Sequence, residues 1–392
     1  MPSLDKALAG ALSKGQSLVD KVRSKHLDVW VPGYLRHVAR RRSMPPIAGT
    51  RHLLFAFCDH YEPEWHRPTK EVAVGRVKRW HERYPKLLER FQDADGRGPQ
   101  HSFFFPGEEY DPDYFDLMED LIRQGGGEVE LHLHHDGDTA EILRDKITTY
   151  LDIYAERGHF ARTDGRIRYA FIHGNWCLAN SRPDGRWCGV DEELPLLFDT
   201  GCYVDMTFPS VPDVSQPGIV NQIYWPTGDL GRRRAYETGE EARVGKSYDD
   251  RLLMLTGPMG VAIDGAQRRL RIESSGVTAH DPATAFRVKL WVDQNVHVAG
   301  RPEWTFVKVY THGAPDKQGE SLLGPDGAQM HEALAQYNDG EHWKLHYVTA
   351  REMYNVAKAA MAGERGDPND YRDYELAPPP IVAETRRRDA AQ

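Results

Sequence analysis

Five consecutive residues, His132-Leu133-His134-His135-Asp136, place three imidazoles and a carboxylate at the end of a predicted strand. The residues before them alternate, so His132 and His134 should share one face of the strand and apolar residues the other. Burying several titratable groups is costly unless a charged partner holds them, and a divalent metal is the usual partner. A histidine cluster without a ligand role is the plainer alternative, but this density of donors favours metal.

Four other predicted strands end in similar polar and aromatic residues. These ends are Cys58-Asp59-His60-Tyr61-Glu62, His173-Gly174-Asn175-Trp176, Asp205-Met206-Thr207 and Tyr310-Thr311-His312. The carboxyl ends of neighbouring parallel strands meet at one edge of a sheet or barrel, where catalytic residues gather. Five such ends in one chain therefore predict an active site.

Composition limits the class of protein. The chain has 392 residues and a formal net charge of −9, which argues against general binding to nucleic acid. Its cysteines form no C-x-x-C pair, so neither a zinc knuckle nor a thioredoxin-like motif is predicted. The segment from Met1 to Leu18 has no continuous apolar core, and no run is long enough to cross a bilayer. We therefore expect a cytoplasmic protein without a transmembrane segment.

Strands and helices alternate through most of the chain, which predicts an α/β fold with a mostly parallel sheet. Seven predicted strands with chemical residues at their ends favour a closed or nearly closed barrel. We expect this domain to span residues 51–360, with a β-rich insertion at about 212–300, which includes a β-like stretch from Phe286 to Val292. Residues 361–392 are predicted to form a poorly ordered tail.

Residues 1–50 predict an N-terminal helical extension. Its apolar residues recur at helical spacing and are followed by a basic stretch from Arg36 to Arg42. The apolar residues are Leu4, Leu8, Leu12, Leu18, Val19 and Val22. One interpretation is a surface helix that contacts anionic lipid at the inner membrane face or a partner. A helical hairpin packed on the main domain is the favoured alternative.

The order of these segments resembles the polysaccharide deacetylase group, the NodB-homology proteins of carbohydrate esterase family 4. The resemblance covers residues 51–358. The segments that match the family's motifs, in chain order, are Phe57-Cys58-Asp59-His60, His101 to Gly107, Gly127 to Asp136, Ile172 to Trp176, Leu197 to Thr207, and His312. The resemblance implies a distorted (β/α)7 barrel of the TIM-like type. It also implies a metal-dependent hydrolase that removes an acyl group from an N-acylated sugar or related amide.

The chain departs from the family's pattern at three positions. His60 stands where the family has a second aspartate, Asp136 where it has a second metal histidine, and His173 where it has an arginine. Two ligand sets follow, either His60 with His132 and Asp136, or His132 with His134 and Asp59. Each leaves zinc an open position for water, as catalytic sites require. We expect zinc, with cobalt, manganese or nickel as alternatives.

The resemblance also implies roles for the remaining residues. Asp59 would be the general base and His312 the acid that protonates the leaving amine. Substrate would contact Tyr61, His173, Asn175 and Trp176, while Glu62, His135 and Asp205 would support the ligands. Core positions are the alternative for Tyr61, Trp176 and His173, and Glu62 could instead be a solvated surface acid.

Two other functions remain open at this point. One is a glycosidase on the same barrel that uses paired carboxylates from Asp59, Glu62, Asp136 and Asp205. The other is a catalytically silent saccharide-binding protein in which the altered motifs no longer hold metal. The expected partner in all three cases is a saccharide or small amide.

Overall fold

The computed structural model of the chain describes residues 25–265 and 268–389. The apolar positions from Leu4 to Val22 of the predicted extension lie outside these residues. Within the described residues the chain forms thirteen strands, ten α-helices and five short 3-10 turns.

The strands are β1 Arg51–His60, β2 His101–Pro106, β3 Gly127–Leu133, β4 Ala161–Thr163, β5 Arg166–His173, β6 Cys202–Asp205, β7 Ile223–Pro226, β8 Gly239–Glu241, β9 Leu253–Leu255, β10 Gly260–Asp264, β11 Arg269–Glu273, β12 Trp304–Thr311 and β13 Trp343–Tyr347. The helices are α1 Leu27–Ser43, α2 Lys70–Arg90, α3 Pro112–Arg123, α4 Ala140–Glu156, α5 Glu193–Thr200, α6 Ala285–Gln294, α7 Asp316–Leu322, α8 Pro325–Ala335, α9 Ala350–Ala362 and α10 Pro380–Asp389. The 3-10 turns are Gly107–Glu109, Gly174–Trp176, Leu178–Asn180, Ala235–Glu237 and Pro368–Tyr371.

One mixed sheet runs through the molecule in the order β12-β1-β2-β3-β5-β6-β9-β7-β8, with β13 beside β1 and β4 beside β5. The pairings from β12 to β9 are parallel, as is that of β13, whereas β7 and β4 pair antiparallel. All seven predicted strands form. The predicted α/β class with a mostly parallel sheet is thus confirmed, but these pairings do not show a closed barrel.

Alternation along the central strands divides their side chains between two apolar cores. On β1, Leu53, Phe55 and Phe57 pack in the core shared with the flanking helices, while Leu54 and Ala56 belong to a second core. Both faces of the strand are therefore covered, which is why it reads as a nearly continuous apolar run. Thr349 caps the closing helix α9, because its side chain accepts a hydrogen bond from the Glu352 backbone in a capping box.

The region from about 212 to 300 contains short strands and the hairpin of β10 and β11, but one β-like segment was assigned wrongly. The segment from Phe286 to Val292 lies in the helix α6 instead. Thr284 caps this helix, and the burial of Val288, Trp291 and Val292 follows helical spacing. Its β-branched and aromatic residues suggested a strand, whereas their spacing fits a helix.

The helix α1 packs on the insertion. Trp30 and Tyr34 form a small apolar cluster with Val220 and Met259. In the basic stretch, Arg40 pairs with Glu241 and so is not wholly available to a membrane. Membrane contact through this stretch stays a prediction. Among the described helices, none has the length and apolarity that a bilayer span would need.

The tail predicted to be poorly ordered is anchored on the sheet. The Arg351 guanidinium lies 2.8 Å from Glu128 Oε1 and also donates to the Leu376 carbonyl at 2.6 Å and to Asp373 at 2.8 Å. Ile381 on α10 is buried in the main core. The proline run at 378–380 and the arginine run at 386–388 suggested disorder, but in residues 361–389 buried hydrogen bonds and apolar contacts hold the chain against the domain.

Replacing Arg351 with methionine should lower the free energy of unfolding by about 3–5 kcal/mol, because it leaves a buried carboxylate at Glu128 without its partner. Urea unfolding followed by circular dichroism measures the loss. Trypsin should also cleave the tail of this variant faster than that of the wild type.

The matched control is Arg90→Met, which breaks an exposed pair with Glu332 whose side chains are 55% and 57% accessible. That change should cost less than about 1 kcal/mol. Equal stability of the two variants would contradict the anchoring role of Arg351.

Candidate metal centre at the strand ends

The register of the parallel strands brings the predicted chemical residues to one edge of the sheet. Asp59 of β1 lies beside Thr311 of β12, and Leu133 of β3 lies beside His173 of β5. Because neighbouring strands run the same way, the residues that follow each strand emerge on the same side. His60, His132 and His312 meet there. The distance between ring centroids is 4.9 Å for His60 and His132 and 4.7 Å for His60 and His312.

Three of these side chains could hold a metal ion. His60, Glu62 and His132 each offer one ligand atom, all within 4.8 Å of one another, and all three residues are buried. Two imidazoles and a carboxylate form the donor set of many catalytic zinc sites. Glu62 is therefore the third candidate donor, whereas the predicted sets used Asp136 or Asp59.

Hydrogen bonding at His132 leaves a ligand position open. Its Nδ1 lies 2.7 Å from the Ile172 carbonyl and must donate to it, so the neutral ring presents an unprotonated Nε2. That nitrogen is 3.0 Å from Glu62 Oε1, and two acceptors at this distance require a proton or a cation between them. Within the described residues, His60 Nε2 has no hydrogen-bond partner although it is buried. A divalent cation would satisfy all three atoms, so these residues fit a metal.

Burial governs the ionisation of this group. It lowers the pKa of His132 to about 3 and that of His60 well below its ordinary value, with the neighbouring imidazoles adding to the effect. Burial likewise raises the pKa of Glu62 to about 8. The imidazoles are thus neutral at physiological pH, which is the form that binds metal.

His134 and Glu108 form a pair beside the metal-binding group. Glu108 Oε1 lies 2.7 Å from His134 Nδ1 and accepts a hydrogen bond from the His134 backbone N–H at 3.0 Å. His134 Nε2 is 3.5 Å from Glu62. Burial opposes protonation, but the hydrogen bond to Glu108 and the charge of Glu62 raise the pKa of His134. Glu108 and Glu109 carried no predicted role, because they follow β2 in a short 3-10 turn without a recognised motif.

Asp59 is held in place by two neighbours. Its Oδ2 lies 2.8 Å from His101 Nε2, and its Oδ1 accepts a hydrogen bond from the Gly313 backbone at 2.6 Å. Glycine at position 313 leaves room for this contact, since a Cβ there would lie 2.1 Å from Asp59 Oδ2. His101 begins β2 opposite Phe57, one residue before the strand predicted from sequence, and was assigned no role.

A cavity of about 640 Å³ opens onto the metal-binding group. Its lining includes His60, Glu62, Glu64, Trp65, His66, Arg67, Glu108, Glu109, His134, Asn175, Trp176 and His312. The His312 ring lies 4.2 Å from that of Trp65, and burial lowers the pKa of His312 to about 3. This volume suits a small ligand or a few sugar units.

Of the four predicted substrate-binding residues, Asn175 and Trp176 line this cavity. Tyr61 is fully buried against Trp80 and Phe103, as in its core alternative.

His173 and the supporting residue His135 contact a different carboxylate, Glu193, at 3.4 and 3.3 Å. Asp205 accepts hydrogen bonds from Thr207, whose Oγ1 accepts one from the His173 backbone. Asp205 thus helps to position the end of β5.

Asp136 is not brought to the metal-binding group. It is exposed and accepts a hydrogen bond from the Trp187 backbone at 2.6 Å. The strand β3 ends at Leu133, so the four-residue spacing from His132 no longer returns the chain to the same face. The carboxylate near His60 and His132 is that of Glu62, two residues past the end of β1.

No protein-family model matches the chain, and no curated protein matches it. Among solved structures it is similar to a crystal structure from Mycobacterium smegmatis named "putative polysaccharide deacetylase". The two are 12% identical over 83% of this chain and 100% of that chain, with a TM-score of 0.40. The likeness is distant, so the chemistry has to be inferred from side-chain geometry.

Gly313→Ala should lower the free energy of unfolding by about 1–3 kcal/mol, because the added methyl group overlaps the Asp59 carboxylate. The loss is measurable by urea unfolding. The matched control is Gly75→Ala on the exposed face of α2, where a Cβ meets nothing within 4 Å. That change should instead stabilise by up to about 1 kcal/mol. Stabilisation by both substitutions would contradict the close approach at Asp59.

Proposed function

We propose that the protein is a metal-dependent hydrolase that removes an acyl group from an N-acylated sugar or related amide. The observation that carries this proposal is the convergence of His60, Glu62 and His132, two of which (His60 and Glu62) line the cavity, with a buried ligand atom on His60 that has no partner among the described residues. When bound there, a divalent metal such as zinc would activate a water molecule and polarise the acyl carbonyl.

His134 carries the proton in this reaction. This imidazole lines the cavity, and Glu108 holds its Nδ1, so an imidazolium formed on it would be stabilised. In this arrangement His134 takes the proton of the attacking water at Nε2 and delivers it to the leaving amine.

The resemblance implies Asp59 as base and His312 as acid. Both oxygens of Asp59 are already hydrogen-bonded, and burial keeps His312 neutral. We therefore give Asp59 a positioning role and His312 a hydrogen-bonding role toward substrate.

The substrate class follows from the cavity lining. Trp65 and Trp176 offer aromatic faces that can stack on the C–H surface of a sugar, while Asn175 and Arg67 offer polar groups for hydroxyl or acyl oxygens. Such a mixture of aromatic and polar groups suits a saccharide.

The metal test measures acetate released from N-acetylglucosamine oligosaccharides. A chelator should abolish release, and Zn²⁺ or Co²⁺ should restore it. Glu62→Gln should weaken metal binding at this site by at least about 100-fold, with a parallel loss of activity. The control is His342→Ala, which removes an exposed histidine of the loop before β13 and should change neither quantity. Activity that survives complete metal removal would refute the proposal.

The proton-transfer test changes His134 and its partner Glu108. His134→Ala should lower kcat by about 100-fold or more while leaving metal content unchanged, because general acid–base catalysis contributes at least this much. Glu108→Gln should lower kcat less, since it removes only the charge that supports the imidazolium. Equal activity of His134→Ala and the wild type would exclude this residue as the proton carrier.

A glycosidase is the second candidate, and one observation favours it. Glu108 and Glu109 line the same cavity with pKa values shifted in opposite directions. Burial raises the pKa of Glu109 to about 8, while the His134 hydrogen bond lowers that of Glu108 against the effect of burial. Glycosidases use such pairs. Chelator-resistant cleavage of a glycosidic bond, lost in Glu109→Gln, would select this function, and saccharide binding without any cleavage or metal would select a silent binding protein.

A further inference from the structure

A second group of metal-ligating side chains lies outside the cavity lining. His135, His173, Cys188 and Glu193 are all buried, and one ligand atom from each lies within 4.8 Å of the others. They come from the loop after β3, the end of β5, the loop that follows it, and the first residue of α5. The proposed hydrolase chemistry uses none of them.

The donor atoms converge on the Glu193 carboxylate. His135 Nε2 lies 3.3 Å and His173 Nε2 lies 3.4 Å from the same oxygen, Glu193 Oε1. Cys188 Sγ lies 3.4 Å from the other oxygen, Glu193 Oε2, which also accepts a hydrogen bond from the Ala179 backbone at 2.6 Å. Four donors of metal-binding type thus surround one buried point.

Hydrogen bonding turns a free nitrogen atom of His173 toward that point, and His135 Nε2 is already in contact with it. His173 Nδ1 donates to the Gly174 carbonyl, so Nε2 carries the lone pair, and it has no hydrogen-bond partner within the described part of the chain. His135 Nδ1 lies 3.4 Å from Asp138 Oδ2, a carboxylate on the far side of the ring from Glu193. A carboxylate or carbonyl behind a ligating imidazole is the usual arrangement around zinc.

The separations between the two imidazoles and Glu193 fit a tetrahedral site. Zinc bonds of about 2.0–2.1 Å to nitrogen or oxygen place neighbouring ligands about 3.3–3.4 Å apart in a tetrahedron. The observed separations of 3.3 and 3.4 Å fall in this interval, whereas charge-assisted hydrogen bonds are shorter, at about 2.7–2.9 Å.

Another histidine group in the same protein shows the contrast. His52 Nδ1 lies 2.9 Å from His346 Nε2, and His346 Nδ1 lies 2.7 Å from Asp95. One proton on each imidazole accounts for both contacts, so this group is a chain of ordinary hydrogen bonds. In the group around Glu193, a proton on His135 Nε2 accounts for its contact with Glu193 Oε1, but His173 Nε2 still faces the same oxygen at 3.4 Å with no proton between them.

We propose that His135, His173, Cys188 and Glu193 bind a structural zinc ion. All four positions of the ion would be filled by protein, as in structural sites and unlike catalytic ones. The thiol of Cys188 would lose its proton to solvent on binding. A thiolate, a carboxylate and two neutral imidazoles then balance the charge of the ion, as a buried site requires.

The ion would hold the loop between β5 and α5 in its conformation. Asn175, Trp176, Ala179 and Asn180 in this loop have φ angles of 54, 56, 49 and 49°, the left-handed region that non-glycine residues seldom occupy. Such a backbone persists only where its surroundings hold it. Since Asn175 and Trp176 line the cavity, the second ion would shape its wall without contacting substrate.

The test uses the full chain loaded with Co²⁺ and metal counting by mass spectrometry. The wild type should bind two metal ions per chain and show a thiolate-to-cobalt charge-transfer band in the near ultraviolet. Cys188→Ala should lose one ion and the whole band. The matched control is Cys202→Ala, which removes another buried cysteine whose thiol contacts the Val204 carbonyl, and should keep both.

Glu62→Gln separates this proposal from the hydrolase proposal. It should lose the first ion but keep the charge-transfer band, since its site contains no sulfur. If the wild type binds one ion that only Cys188→Ala removes, the structural site stands and the proposed hydrolase centre fails. If it binds one ion that only Glu62→Gln removes, and no band appears, the structural site is refuted.

Zinc X-ray absorption on the wild-type protein keeps the test decisive should Cys188→Ala fail to fold. A sulfur ligand at about 2.3 Å is expected. Only nitrogen and oxygen around zinc would overturn the proposal.

Discussion

The interior face of β3 carries the constraint on which the rest of the structure depends. Its alternate residues Glu128, Glu130 and His132 are buried at 2%, 3% and 0% exposure in the middle of a parallel sheet. Each would destabilise the fold strongly without a partner. The strand is therefore stable only because three different parts of the chain reach it with complementary groups.

Those partners explain why distant segments pack where they do. Arg351 on α9 neutralises Glu128 and binds the tail, so the C-terminal residues fold onto the sheet. Glu130 lies 2.5 Å from the Tyr203 hydroxyl and accepts a hydrogen bond from the Ala170 backbone at 2.6 Å. Only at His132, where the strand ends, does a ligand position remain open. Along β3, Glu128 and Glu130 therefore have structural partners, whereas His132 belongs to the candidate metal site.

The end of β3 also separates the two candidate metal sites. His132 is part of the metal-binding group with His60 and Glu62, and His134 lies beside it. His135, the next residue, lies instead in the group around Glu193. On β5 the Ile172 carbonyl supports His132, and the adjacent His173 belongs to the second group. Neighbouring residues at the ends of β3 and β5 thus belong to two different candidate metal sites. The two sites therefore share the same pair of strand ends.

The sequence alone determined the α/β class, the seven central strands and the edge where chemical residues gather, because period-two burial and strand-end polarity are local signals. It also indicated that His60 and His132 lie near one another, since both stand at the ends of parallel strands. The carboxylate that joins them was decided by the tertiary structure. The family resemblance suggested Asp136, with Asp59 as the alternative, but the chain leaves the strand at Leu133 and turns the Asp136 side chain to solvent.

The same limit explains the order of the tail and the group around Glu193. Arg351 and Glu128 are far apart in the chain, as are His135 and Glu193, and no local pattern marks either pair. The cysteine and histidine donors of the group around Glu193 have no motif spacing that the sequence could reveal. Only packing that desolvates these groups together makes each require the other, and that requirement exists only in the folded chain.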